Sequence, residues 1–150
     1  MTKLSRTFVL ILIFILLLSS GALSACSTGT DHTLQMASVG DMPVEVQSAP
    51  MAVQQAYQFV SANPDVAIRI PCYCGCKSIG HGSSFSCYIS SLDADGTIAY
   101  DFHALGCSIC VDITQDTMRM LEQGKSVPEI KAHIDQTYAK YDPSNISEGN

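Results

Sequence analysis

Hydrophobic residues recur at helical spacing in three stretches of this 150-residue chain, and each stretch predicts an amphipathic helix. The first is predicted over about 50–62, because Pro50 suits a first helical turn and Asn63-Pro64-Asp65 ends the pattern. The apolar face of this helix comprises Val53, Ala56, Tyr57 and Val60. The other two helices are predicted further along the chain, at about 107–123 and from Ser126 onward.

These last two helices carry end signals, so their mutual arrangement can also be predicted. Gly124 suits the position just after a helix end, and Ser126 with Glu129 three residues later is a capping-box pattern. Because the link between the helices is so short, they must form an antiparallel helical hairpin.

A β-hairpin is predicted between the first and second helices. Residues 85–90 and 97–102 resemble strands, and Asp93-Ala94-Asp95-Gly96 between them is typical of a turn. The Asp-x-Asp-Gly sequence also begins a calcium-loop pattern, but Ala104 stands where the twelfth-position Glu is needed. A turn is therefore favoured over an EF-hand.

The N-terminus has the three parts of a bacterial lipoprotein signal. Lys3 and Arg6 precede residues 8–18, which are all apolar and, at eleven residues, are too short to span a bilayer core of about 30 Å. Leu23-Ser24-Ala25-Cys26 follows and resembles a lipobox, in which the Cys is lipidated and becomes the mature N-terminus. The alternative is an ordinary secretory signal that happens to contain a Cys.

Four regions follow from these patterns. We predict a lipoprotein signal peptide over 1–25, a flexible tether over 26–47, a Cys-rich domain over 48–142 and a frayed tail over 143–150. The tether is rich in Ser, Thr and Gly and has no sustained period, so Met36 and Met42 are interpreted as linker residues. The protein is thus expected to be lipid-anchored on the extracytoplasmic face of the cell membrane, where disulfides can persist.

The charge balance limits the classes of partner. The chain carries 14 acidic and 8 basic residues, and two of the basic residues lie in the predicted signal peptide. Because neutralising phosphates supplies most of the affinity for nucleic acid, an acidic protein without a basic cluster is expected to bind none. No Ser/His/Asp array, P-loop or dinucleotide fingerprint is present, and we expect no enzymatic activity, with thiol–disulfide chemistry as the only enzymatic alternative.

The density of cysteines is the feature that needs explaining. Six of the seven cysteines fall between positions 72 and 110, and two histidines lie close to them. The candidate metal ligands are Cys72, Cys74, Cys76, Cys87, Cys107, Cys110, His81 and His103. Eight such residues suffice for two four-coordinate sites, and soft thiolates favour zinc, monovalent copper or an iron–sulfur cluster.

The spacing of the thiols favours metal binding, with zinc or copper as the expected ion. Short CxC and CxxC spacings converge on one point with little ordering of the chain, and Gly75 lets the first cluster bend. Cys107 and Cys110 lie at the N-terminus of the second predicted helix, where the dipole is expected to favour thiolate over thiol.

Two other readings of the same thiols remain open. If no disulfide forms within Cys72–Cys76, because such small rings are strained, each of its three thiols must pair with one of Cys87, Cys107 and Cys110. Six of the fifteen possible connectivities then remain. A thiol–disulfide catalyst is the third reading, although no strand–helix–strand unit feeds the CxxC. We expect His133 to be a surface residue, and we expect Met118 and Met120 to pack in the core.

The run Pro71-Cys72-Tyr73-Cys74-Gly75-Cys76 resembles the signature of the PCYCGC-motif family of bacterial proteins, many of which are lipoproteins. The likeness covers roughly residues 50–138 and includes, beyond the motif, Ala56-Tyr57, Asn63-Pro64, Gly80-His81, Cys87, His103 and Gly106-Cys107 with Cys110-Val111. One departure is Ala104, where a Gly is expected after the His. The resemblance implies that the Cys/His set acts as one unit, but the family has no established activity to carry over.

Together, these features predict an α+β fold: a small, mainly helical domain with one β-hairpin, stapled by a Cys/His cluster. The expected function is binding of a soft transition metal for structure, sensing or trafficking. The alternative is a disulfide-stapled structural or interaction domain.

Overall fold

A computed structural model describes residues 34–146 of the chain. The α-helices of this part are α1 (Val44–Gln47), α2 (Met51–Ala62), α3 (Pro64–Ala67), α4 (Ser108–Glu122) and α5 (Val127–Tyr138). Strands β1 (Ile89–Leu92) and β2 (Ile98–Tyr100) form an antiparallel hairpin. Short 3-10 turns lie at Val39–Asp41, Cys76–Ile79, Phe85–Cys87 and His103–Leu105.

The three predicted helices are confirmed and build the core. Helix α4 packs against both α2 and α5. Fully buried side chains on these helices include Tyr57, Phe59, Ile113, Ile130 and Ile134. Burying each such side chain contributes roughly 1.5–3 kcal/mol, so the helical layer supplies a large share of the hydrophobic stabilisation.

The turn between α4 and α5 has the predicted chemistry. Gly124 has φ +73°, and its N–H donates to Leu121 while the N–H of Lys125 donates to Met120, which is a Schellman motif. Glu129 accepts from the backbone N–H of Ser126 at 2.9 Å and completes the capping box of α5. The antiparallel arrangement of α4 and α5 follows from this short link.

The hairpin is confirmed, but its strands are shorter than predicted. Phe85–Cys87, predicted as part of the first strand, is a 3-10 turn in which Cys87 N–H donates to Ser84 and Tyr88 N–H donates to Phe85. This turn buries the Cys87 side chain completely, whereas an extended strand would alternate its side chains between two faces. The second strand likewise ends at Tyr100, and His103–Leu105 forms another 3-10 turn.

The predicted fold class is confirmed. The described residues form an α+β domain that is mainly helical, has one two-stranded hairpin, and contains a Cys/His cluster. The turn over Asp93–Gly96 is also as predicted: Gly96 N–H donates to Asp93 at 2.9 Å, and Asp95 accepts from Thr97 N–H at 3.0 Å.

The prediction of a flexible tether is wrong for residues 34–47. Met42 and Val46 are buried in the core, and Ala37 N–H donates to the carbonyl of Gln58 on α2 at 3.0 Å. A few scattered apolar side chains and such hydrogen bonds therefore hold the segment on the domain, although the apolar residues are too few to produce a visible hydrophobic period.

The predicted frayed tail is wrong for residues 143–146. Asn145 is 3% exposed and forms two hydrogen bonds with the backbone of Cys72. Its side-chain oxygen accepts from Cys72 N–H, and its own N–H donates to the Cys72 carbonyl. These bonds give the end of the described chain a fixed position beside the first Cys cluster.

Residues 1–33 and 147–150 lie outside the described residues. The first of these ranges includes the predicted signal peptide, the predicted lipidation site Cys26 and the first part of the predicted tether. Within residues 34–146, no helix has the length and apolar character needed to cross a membrane.

Two valines on the same short helix test the correction to the tether. Val46 is fully buried, whereas Val44 is 67% exposed. We expect Val46→Ala to lower the free energy of unfolding by about 1–3 kcal/mol, because it removes buried apolar surface and leaves a cavity. Val44→Ala is the matched control and should change it by less than about 0.5 kcal/mol. Chemical denaturation measures both free-energy changes. Equal, negligible changes for the two variants would support the original prediction of a flexible tether.

Candidate metal centre

Four segments of the chain bring the predicted ligands to one place. Cys72, Cys74 and Cys76 lie on the loop after α3, and Gly75 bends this loop with φ +78°. Cys87 ends the 3-10 turn before β1, His103 begins the turn after β2, and Cys107 and Cys110 lie at the N-cap and in the first turn of α4. The structure places all six thiols and both histidines, His81 and His103, in one cluster.

The ligand atoms are close to one another throughout the cluster. Cys74 Sγ lies 3.3 Å from Cys72 Sγ, 3.5 Å from Cys110 Sγ and 3.4 Å from His103 Nε2. Cys72 Sγ lies 3.4 Å from Cys110 Sγ, and Cys76 Sγ lies 3.6 Å from Cys87 Sγ.

These separations fit a tetrahedral soft-metal site. With zinc–sulfur bonds of about 2.3 Å and zinc–nitrogen bonds of about 2.1 Å, two sulfurs lie about 3.8 Å apart, and a sulfur and a nitrogen lie about 3.6 Å apart. The observed distances are all shorter than these values, by about 0.2–0.5 Å, so binding an ion requires only a small outward movement of the ligand atoms.

Three groups of ligand atoms each lie within 4.8 Å of one another. They are Cys72, Cys74, Cys76 and Cys87; Cys74, His103, Cys107 and Cys110; and Cys76, His81 and His103. Cys74 belongs to the first two groups. The Cys72–Cys76 run and the Cys107/Cys110 pair therefore form one continuous cluster rather than two separate sites.

The histidines are held by a residue that the sequence did not single out, Asp101. Its Oδ1 accepts from the backbone N–H of His103 at 2.8 Å, and its Oδ2 lies 3.5 Å from His81 Nε2. His81 is buried, and its Nδ1 has no hydrogen-bond partner among the described residues. A histidine with one ring nitrogen on a carboxylate and the other unpartnered has the arrangement of a metal ligand with its orienting group.

Asn145 is the second residue that sequence reasoning missed. Its side-chain oxygen accepts from Cys72 N–H at 2.7 Å, its own N–H donates to the Cys72 carbonyl at 3.1 Å, and its Nδ2 lies 3.8 Å from Cys76 Sγ. It therefore holds the first Cys loop in shape from 73 residues away. No local pattern marks it, because an Asn after Pro and Ser looks like any turn residue.

Tyrosines fix the remaining ligand segments. Tyr88 O–H donates to the carbonyl of Cys110 at 2.8 Å, and Tyr57 O–H donates to the carbonyl of Asp101 at 2.8 Å. Within the PCYCGC motif, Tyr73 O–H donates to Asp135 on α5 at 2.6 Å, and burial together with this carboxylate raises the pKa of Tyr73 to about 12. The motif loop is thus tied to α5 as well as to Asn145.

The pKa values of the clustered thiols shift in two directions: those of Cys72 and Cys74 are lowered, and those of the other four are raised. Hydrogen bonds from Cys110 and Cys72 hold the pKa of Cys74 well below its usual range. Burial raises the pKa of Cys107, and hydrogen bonds to Cys72 and Cys74 raise that of Cys110. At these two thiols, burial and neighbouring thiols oppose the effect expected of the helix dipole.

The residues that were predicted to lie at the surface or in the core, rather than to bind metal, lie outside the cluster. His133 on α5 is 41% exposed and lies 3.7 Å from Asp116. Met118 is buried in the core, and Met120 packs against it. The ligand roles of the eight clustered residues stay a prediction.

The distances also bear on the other readings of the thiols. All six described cysteines are free thiols, with no two sulfurs at bonding distance. The sheet in the described residues is a two-stranded antiparallel hairpin, which differs from the strand–helix–strand unit of thioredoxin-like enzymes.

Comparison with known proteins gives one match. A family model described as a protein of unknown function with PCYCGC motif matches residues 17–145, a range that includes Cys26 and Asn145. No curated protein and no solved structure matches the chain significantly.

The role of Asn145 can be tested by Asn145→Ala. We expect this change to lower the free energy of unfolding by about 1–3 kcal/mol, because the N–H of buried Cys72 loses its acceptor. Gln123→Ala, which removes an exposed amide side chain, is the matched control and should change the free energy of unfolding by less than about 0.5 kcal/mol. Chemical denaturation of the full chain as purified measures both variants, and equal, negligible effects would contradict the role assigned to Asn145.

Proposed function

The chain belongs to the family of PCYCGC-motif proteins, and we propose that it is a membrane-anchored, extracytoplasmic lipoprotein that binds a soft transition metal, zinc or copper. The observation that carries the proposal is the convergence of eight Cys and His ligand groups into three overlapping sets, each within 4.8 Å. The proposed role is binding, for structure, sensing or trafficking, rather than catalysis.

The composition of the cluster supports a soft ion. Thiolates outnumber imidazoles by six to two, and the three sets contain no carboxylate. Calcium and magnesium prefer oxygen ligands, whereas zinc and monovalent copper prefer sulfur and nitrogen. Because an ion would neutralise thiolates that otherwise repel one another, metal binding and folding of the loop are expected to be coupled.

The arrangement of supporting residues favours a built site over a chance grouping of thiols. Asp101 positions both histidines, Asn145 positions the motif loop, and Tyr88 positions the first turn of α4. Residues of this kind around a metal site orient its ligands and sharpen its affinity.

The anchoring part of the proposal is tested at Cys26. Because Leu23-Ser24-Ala25-Cys26 resembles a lipobox, Cys26→Ala is expected to release the protein from membranes or to leave it unprocessed. Membrane fractionation and the mass of the mature chain provide the measurement. A processed Cys26→Ala protein retained on membranes at the normal level would contradict lipid anchoring.

The metal-binding part is tested by elemental analysis of the full-length chain purified from its native compartment. We expect bound zinc or copper, and most of the six thiols should be free once the chain is denatured with a chelator under non-reducing conditions. Cys74→Ser should remove at least half of the bound metal, because Cys74 belongs to two ligand sets. His133→Ala is the control and should leave the metal content unchanged.

A disulfide-stapled domain without metal is the second candidate, and one observation favours it. Cys72 lies 3.4 Å from Cys110 and Cys76 lies 3.6 Å from Cys87, while Cys74 and Cys107 share a ligand set. These three pairs make up one of the six connectivities that the sequence permits. The second candidate would replace the first if the purified chain contains no metal and no free thiol, and if peptide mapping finds these three disulfides.

A further inference from the structure

The cluster contains more ligands than one ion can bind. The two four-residue sets together contain seven different residues and share only Cys74. Cys74 Sγ lies 3.3 Å from Cys72 in the first set, and 3.4 Å and 3.5 Å from His103 and Cys110 in the second. A thiolate sulfur has lone pairs for two metal ions, so this position is suited to a bridging ligand.

We propose that the site holds two metal ions that share the thiolate of Cys74, an inner ion that is retained and an outer ion that exchanges with solution. This inference rests on the proposed metal-binding function. The inner set is Cys72, Cys74, Cys76 and Cys87, and the outer set is Cys74, His103, Cys107 and Cys110.

The two sets differ in their access to solvent. The three unshared thiols of the inner set, Cys72, Cys76 and Cys87, are 1%, 3% and 0% exposed. In the outer set only Cys110 is fully buried, while His103 and Cys107 are half-buried. A chelator can therefore reach the outer ion without unfolding the chain, but can reach the inner ion only after the loop opens.

A surface hollow gives the outer set its route to solution. The hollow has a volume of about 300 Å³ and is lined by Cys107 and by the exposed residues Ser108 and Asp112. The Asp112 carboxylate places a negative charge at this opening, where it favours approach of a cation.

The two sets also differ in the chain segments they join. All four inner ligands come from residues 72–87, so the inner ion closes one loop that Asn145 and Tyr73 already hold. The outer ligands come from that loop, from the turn after β2 and from α4. Loss of the outer ion therefore leaves the inner site intact, which suits storage or transfer of the outer ion.

The test loads the purified full-length chain with Zn²⁺ and follows its release to excess EDTA with a colorimetric zinc indicator. The native chain should bind two zinc ions and release them in two phases of equal amplitude that differ in rate about tenfold or more. Cys107→Ser should bind one zinc ion and lose the fast phase alone. His133→Ala, which alters a histidine on α5 outside the cluster and outside the hollow, should behave as the native chain does.

Other outcomes separate this inference from the function on which it rests. A single zinc ion per native chain, or release of two ions at one rate, would overturn the two-ion arrangement while leaving soft-metal binding intact. Loss of both ions in Cys107→Ser with the fold retained by circular dichroism would overturn it as well. Failure of the native chain to bind zinc or monovalent copper would overturn the proposed function itself.

Discussion

The convergence of six thiols in a largely buried space is the constraint on which the rest of this structure depends. The motif loop has little regular secondary structure, and its shape is set by contacts at the cluster and by the residues around it. Helix α4 supplies two thiols, the hairpin positions Cys87 and His103 at its two ends, and α5 binds Tyr73. Helix α4, the hairpin and α5 thus each contribute a ligand to the cluster or hold one beside it.

Regular elements could be predicted because their signals are local. Gly124 and the Ser126–Glu129 capping box determine the link between α4 and α5, and the spacing of Tyr57 and Val60 identifies the buried face of α2. The candidate ligands could be chosen for a related reason: CxC and CxxC spacings bring thiols together regardless of the fold. The members of the cluster could therefore be predicted from the spacing of the motifs, and the structure added which of them are neighbours.

What the sequence could not predict depends on contacts between distant residues. Asn145 binds Cys72 across 73 positions, and Val46 reaches the core from a segment that has a linker's composition. Nothing in the sequence distinguishes Asp101 from the other thirteen acidic residues, and only the fold brings it into contact with His81 and His103. The Phe85–Cys87 stretch has strand-like residues, but burial of Cys87 in the cluster overrides that preference.

The central claim is that these thiols and imidazoles surround a soft metal ion. X-ray absorption spectroscopy at the metal edge of the natively purified chain measures the surrounding atoms directly. We predict a first shell dominated by sulfur at about 2.3 Å, with a smaller contribution from imidazole nitrogen. A shell of oxygen and nitrogen atoms alone would contradict the claim, because it would place the bound metal away from the cysteines.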